Sequence, residues 1–284
     1  MSLTESGPVV TVIDEEEAAR ARRDKVNRIA KWTLPSLVMV LSILAWHFYV
    51  TINEIPHYVL PGPLLVAQSV WEDWGLLWPA MITTSRLTFL ALFFAIIGGV
   101  ALAVAFTQSK WAEMSFFPYA VILQVTPVVA IAPLLQIYID SAFVAALLCA
   151  WIVAFFPILS NTTIGLKSAD HNLQDLFTIY GASRWQRLRY LSAPSALPYF
   201  LGGLKIAGGL ALIGAVVAEF VIGRAGTGLG LASTLLEAPY RFNFGRLYAA
   251  LILISAMGIV IFAITSTISH LMLRKWHESA LKRD

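Results

Sequence analysis

The chain has 284 residues, 58% of them hydrophobic and only 13% charged, with a mean hydropathy of +0.73. A soluble domain carries about 25% charged residues, so there is too little charge here to coat a water-facing surface, and a polytopic membrane protein is the class that fits. The single cysteine, Cys149, lies in an apolar run, which rules out an intrachain disulfide and a cysteine metal site. The formal net charge of +3 needs no nucleic acid, because the placement of the basic residues accounts for it.

Residues 1–32 are polar, with Asp14 to Glu17 followed by Arg20, Arg22, Arg23, Lys25, Arg28 and Lys31. The stretch is too long and too acidic for the start of a signal peptide, and it reads as a cytoplasmic tail. Residues 33–51 follow as a first span, with Trp32, Trp46 and Tyr49 as interfacial anchors. Residues 52–78 read as an extracytoplasmic amphipathic segment, apolar through Leu64, Leu65, Trp71, Trp74 and Trp78 but interrupted by Glu72 and Asp73.

The remaining spans fall within a core of residues 79–273, at 79–106, 116–139, 142–159, 198–222 and 247–273. Six crossings put both termini, including the tail 274–284, on one side. With the first helix leaving the cytoplasm, fifteen loop and tail Lys and Arg fall inside and only Arg224, Arg241 and Arg246 outside. This is a strong positive-inside pattern.

Three prolines, Pro118, Pro127 and Pro133, fall within the third span, where each removes a helix hydrogen bond. The freed carbonyls need water or polar neighbours, and Gln124, Thr126 and Gln136 lie close by. A kinked, pathway-lining helix is the expectation.

The loop 165–195 reads as two short helices. Leu173, Leu176, Phe177 and Tyr180 recur at i, i+3, i+4 and i+7 and form one apolar face. Gly181 stops the first helix, while Ser183 with Gln186 fits a capping box that starts a second. That second helix carries Arg184 and Arg187 and is expected to end at Pro194 and Pro198, before the next span. Such a ridge needs a cover, either the protein's own spans and the lipid interface or a partner protein.

The stretch from Asp175 through Gly181, Ala182 and Ser183 to Pro194 resembles the coupling loop of binding-protein-dependent ABC importer permeases, whose pattern is Glu-Ala-Ala, then Gly, then Pro. Here Asp175, Leu176 and Phe177 stand in the triplet, while the acid, Gly and Pro positions are kept. The likeness extends over residues 60–230 and resembles the nitrate, sulfonate, taurine and bicarbonate permease family. It is carried by Leu60 to Pro63, Thr126 to Leu134, Phe155 to Thr162, Gly203 to Ala207, Ala218 with Glu219, and Gly228 to Gly230.

The resemblance implies an all-α, six-span, type I importer permease in the bacterial cytoplasmic membrane, with a coupling loop between spans four and five. It also implies a second permease copy, two ATPase subunits that hold ATP and magnesium, and an extracytoplasmic substrate-binding protein. The chain has no Gly-x-x-x-x-Gly-Lys-Ser/Thr loop, so it cannot hold ATP that way itself. Gly226, Gly228 and Gly230 form the nearest glycine-rich piece, which lacks the lysine and reads as a turn. The five histidines are scattered without metal-ligand spacing.

Gly203, Ala207, Ala211 and Ala215 stack on one face of the fifth span and lead to Glu219. That face is either a packing seam or a wall of the passage. Charged groups inside a span are costly and face water or a partner; Arg86, Lys205 and Glu219 are the candidates, with Arg86 and Glu219 expected at the outer vestibule or reaching to the interface. The passage residues expected from the sequence are thus Arg86, Gln124, Thr126, Pro127, Gly203, Ala207, Ala211, Ala215 and Glu219. No catalytic constellation accompanies them. A transporter or channel independent of any ATPase is the rival reading.

Overall fold

The computed structural model describes residues 9–223 and 230–274. The chain divides into two compact units, 1–65 and 66–284. Helices dominate, and no strand occurs among the described residues. The Gly226-Thr227-Gly228 turn, Arg224 and the terminal tail beyond Arg274 lie outside them.

In the first unit, helix α1 (Val9–Ile52) runs without a break across the expected boundary between tail and span. Its apolar half, Thr33–Ile52, is long enough to cross a bilayer. A tight turn follows, with Ile55 N–H donating to Val50 O at 3.0 Å. Helix α2 (Pro63–Glu72), most of which belongs to the second unit, opens on a proline, whose missing N–H costs nothing at a first helical position.

The second unit is built on three long helices, α3 (Trp74–Gln108), α6 (Ala142–Lys167) and α9 (Ala193–Ile222). Nearly half of their buried residues are alanine or glycine, most densely on α9. Lipid gives apolar side chains no reason to prefer one another, so spans associate through close packing of small residues. A Cβ on Gly203 would come within 2.9 Å of Pro157 O and Asn161 Cβ, and one on Gly214 within 2.9 Å of Ala150 Cα. The backbones of α6 and α9 therefore approach as closely as they do because neither position carries a side chain.

Between α3 and α6 lie α4 (Lys110–Val125) and α5 (Val128–Tyr138), separated by a bend of 101°. Of the three prolines expected to interrupt this span, only Pro127 does so. Thr126 before it is extended, as the residue before a proline prefers, while Pro118 and Pro133 sit within continuous helices. Counting the bent pair as one span, the described residues contain up to six crossings, five without it.

The loop helices are α7 (His171–Ile179) and α8 (Arg184–Arg187). The expected break at Pro194 and Pro198 is absent. The chain passes from α8 through a π-helical turn, Leu188–Ser192, into α9, making one continuous element of 39 residues, Arg184–Ile222. In that wider turn Ala193 N–H donates to Leu188 O, five residues back, which makes room for the Pro194 ring without ending the helix. After α9 come the short α10 (Leu231–Glu237) and the last long helix, α11 (Phe244–Leu273).

Candidate functional site

The loop helix α7 is held by its ends. Asp170 Oδ1 accepts the N–H of Asn172 at 2.7 Å, and Gly181 closes the helix in the left-handed region at φ 65°, where an L side chain would be strained. The capping box is fully formed: Gln186 N–H donates to Ser183 Oγ, and Ser183 N–H donates to Gln186 Oε1 at 2.7 Å. Arg187 Nη2 donates to Thr178 Oγ1 at 3.2 Å and ties α8 back to α7.

No residue of α7 is buried. Leu173 and Leu176 are 46% and 44% exposed, Phe177 is half-buried, and Ile179 and Tyr180 are more than 80% and about 80% exposed respectively. Leu176, Phe177, Tyr180, Ala182 and Tyr190 border a shallow notch. The ridge read from the sequence is thus uncovered by its own bundle. Ile179, which the i, i+3, i+4 pattern omitted, extends it; its apolar character beside Tyr180 was the available signal.

The passage residues expected from the sequence separate into three groups. Gln124 and Pro127 are exposed and Thr126 half-buried at the elbow between α4 and α5, with Thr126 Oγ1 donating to Ile122 O at 2.6 Å. Arg86 is exposed on α3. Gly203, Ala207, Ala211 and Ala215, by contrast, are buried in the seam of the bundle and reach no surface. The face of α9 left uncovered is a different one: Tyr199, Gly209, Ile206 and Ile213 are exposed, and Gly202 lies between them. A stripe of small residues marks packing, and which neighbour it packs on depends on the rest of the chain.

Glu219 also departs from expectation. It neither lines a vestibule nor reaches the interface; it is 0% exposed. Thr84 donates its hydroxyl to Glu219 Oε1 at 2.7 Å, Ala232 N–H donates to Oε2 at 3.0 Å, and Leu231 N–H donates to Thr84 Oγ1 at 3.0 Å. The carboxylate and the Thr84 hydroxyl therefore each satisfy one otherwise unpaired N–H at the start of α10 and fasten that helix to α3 and α9. Gly230 is required beside it, because a Cβ there would strike both Glu219 and Thr84. On the same end of the unit Asp73 pairs with Arg246 and accepts from Asn243 Nδ2 at 3.3 Å, joining the start of α3 to the start of α11.

Spans packed through small residues, one span broken near its middle, and an uncovered apolar ridge on a short loop helix define a subunit of a membrane transport machine rather than an enzyme. Residues 95–274, more than half of the chain, match the family described as binding-protein-dependent transport system inner membrane component. The chain belongs to that family.

It is 31% identical over 263 residues, 90% of this chain and 96% of the relative, to the riboflavin transport system permease protein RibX of Chloroflexus aurantiacus. It is 29% identical over 240 residues, 84% of this chain and 94% of the relative, to the formylaminopyrimidine transport permease protein ThiX of Halalkalibacterium halodurans. Among solved structures, the MetNI methionine ABC transporter in an inward-facing conformation shares the fold, with a TM-score of 0.57 and 18% identity over 70% of this chain and 97% of that one. The chain is accordingly a multi-pass inner-membrane permease of an ABC importer for a small solute. ATP hydrolysis belongs to a separate ATPase subunit, and an extracytoplasmic binding protein delivers the solute.

Proposed function

We propose that two copies of this permease assemble with two ATPase subunits and import a small planar nitrogen heterocycle, with both chain ends in the cytoplasm. The observation that carries the coupling is the uncovered ridge of Leu173, Leu176, Phe177, Ile179 and Tyr180 on α7. The positive-inside distribution of Lys110, Lys167, Arg184, Arg187 and Arg189 supports a cytoplasmic position for that helix, where the ATPases are. Closure of the ATPases on ATP and magnesium moves α7, and Gly181, Ala182 and Ser183 pass the motion to α8. Because the chain is helical from Arg184 to Ile222, the movement reaches α9 without an intervening hinge. Asp175 and Arg184, both exposed, flank the ridge and set its register on the ATPase, while Arg187 and Pro194 keep the lever in shape.

The passage runs between copies, bordered by the uncovered face of α9 and by the elbow at Gln124, Thr126 and Pro127; Arg86 lies at its outer rim. The solute class rests on the permeases for riboflavin and formylaminopyrimidine, which are related over 80% or more of this chain.

Burying a leucine or phenylalanine contributes about 1.5–3 kcal/mol, so replacing both Leu176 and Phe177 by Asp weakens ATPase docking by about 3 kcal/mol or more, over a hundredfold. The double variant is expected to insert into the membrane normally and to lose the co-expressed ATPase on purification; retention of the ATPase would overturn the coupling role. Binding of riboflavin-like and pyrimidine compounds to the cognate binding protein, with none of nitrate or taurine, is the matching test of solute class.

A further inference from the structure

We propose that this permease holds one anionic phospholipid in a composite site on the α7 side of the bundle, its headgroup in a basic cavity and an acyl chain in the apolar groove that adjoins it. The proposal needs only the membrane-spanning fold and stands whether or not α7 docks an ATPase.

The cavity, about 630 Å³, lies where α3 and α6 end and α4 and α8 begin. Lys110, Lys167, Arg184 and Arg187 line it, with Glu113 as its only carboxylate, and that carboxylate is engaged by Lys167. Four cations therefore face one already committed anion, with His171 and Gln174 as further polar groups in the wall. Arg187 spends one nitrogen on Thr178, and its Nε is buried without a partner. A buried guanidinium nitrogen lacking an acceptor is costly, and a phosphodiester supplies acceptors of the matching charge.

The groove, about 610 Å³, is lined by Ile96, Val100, Val104, Ala196, Leu197 and Phe200. Leu166 and Leu188 line both spaces, so the two adjoin. Along α3 the lining passes from Ile96 in the groove to Phe106 in the cavity. Ten residues at 1.5 Å each give about 15 Å, half of a hydrocarbon core about 30 Å thick. Groove and cavity together thus have the depth of one leaflet, with the polar end at the leaflet's surface. Basic pockets between spans are the usual seat of anionic headgroups. A free anion explains the cavity but leaves the groove without an occupant.

The test uses the full-length chain purified with its ATPase in mild detergent, with retained lipid counted by native mass spectrometry and rebinding titrated after delipidation. One phosphatidylglycerol is expected per permease, in preference to phosphatidylcholine. Lys110→Gln is expected to weaken it about fivefold, the effect of one interfacial cation. Ala101→Trp, which fills the groove from its exposed side, is expected to weaken it at least as much. Equal retention of phosphatidylcholine, or wild-type retention by both variants, would overturn the proposal. So would inorganic phosphate displacing the lipid while its own binding is indifferent to Ala101→Trp, because the site would then serve a free anion. Loss of a protein subunit rather than of lipid from Ala101→Trp would also overturn it, assigning the groove to a protein partner.

Discussion

Glu219 offers the sharpest test of how the α10 end of this bundle is held. Its two carboxylate oxygens accept from Thr84 Oγ1 and from Ala232 N–H, and none of the three groups has access to water in place of the bond. Glu219→Ala strands the Ala232 N–H, at about 1–3 kcal/mol, and leaves the Thr84 hydroxyl only its longer bond to Ala80 O at 3.2 Å, so a loss of about 3 kcal/mol is expected. At about 2–4 °C per kcal/mol for a chain of this size, the unfolding midpoint in detergent should fall by about 9 °C, followed by intrinsic tryptophan fluorescence.

Glu219→Gln behaves differently. Its carbonyl oxygen still accepts from Ala232, and its amide can donate to Thr84 Oγ1, whose proton turns to Ala80 O, 3.2 Å away. The loss should then stay near about 1 kcal/mol. Hydrogen exchange should locate the difference, with protection lost over Leu231–Glu237 in the alanine variant alone. If glutamine lowers the midpoint as far as alanine, the charge rather than the bonding pattern matters and the reasoning fails. If alanine is within about 2 °C of the parent, Glu219 fastens nothing.

Gly230→Ala should lower the midpoint by an amount comparable to Glu219→Ala. In the double variant the two losses should fall short of additive, because the carboxylate that the new methyl strikes has gone; strict additivity in a double-mutant cycle would refute the contact. Asp73→Ala leaves Arg246, only 17% exposed, without its carboxylate. A loss of about 2 kcal/mol is expected, read as a lower midpoint, and smaller in Asp73→Asn, which keeps one acceptor. Arg187→Ala should speed amide exchange in α7 and α8 while leaving the spans protected, since the bond to Thr178 is local to the loop; unchanged exchange there would show that the capping box alone holds the pair.

Features set by short stretches of chain were legible in the sequence. The ridge on α7 follows from side-chain period, the turn at Gly181 from its missing Cβ, and the start of α8 from the Ser183 and Gln186 pair, all within about eight residues. The spans follow from hydropathy. Features set by distant residues were not.

Thr84 and Glu219 are 135 positions apart, and nothing near either one announces the other. The stripe from Gly203 to Ala215 is plain as a stripe, yet its burial depends on Pro157, Asn161 and Ala150 of α6 coming against it. Proline gave mixed signals for the same reason. Its missing donor is a local fact, but Pro127 breaks its helix while Pro194 is absorbed by a wider turn, and the surroundings decide between the two.

The elbow at Thr126 and Pro127 bears on how the machine is put together. Neither arm, 16 residues on one side and 11 on the other, is long enough at 1.5 Å per residue to traverse about 30 Å of hydrocarbon alone. The last carbonyls of one arm and the first amides of the other therefore meet inside the bilayer's thickness, where lipid offers them nothing to bond. A solitary copy released from the insertion machinery carries this raw joint into oil until a companion or a column of water shields it. One bend in one helix thus predicts biogenesis in step with its companions and prompt proteolysis of surplus copies.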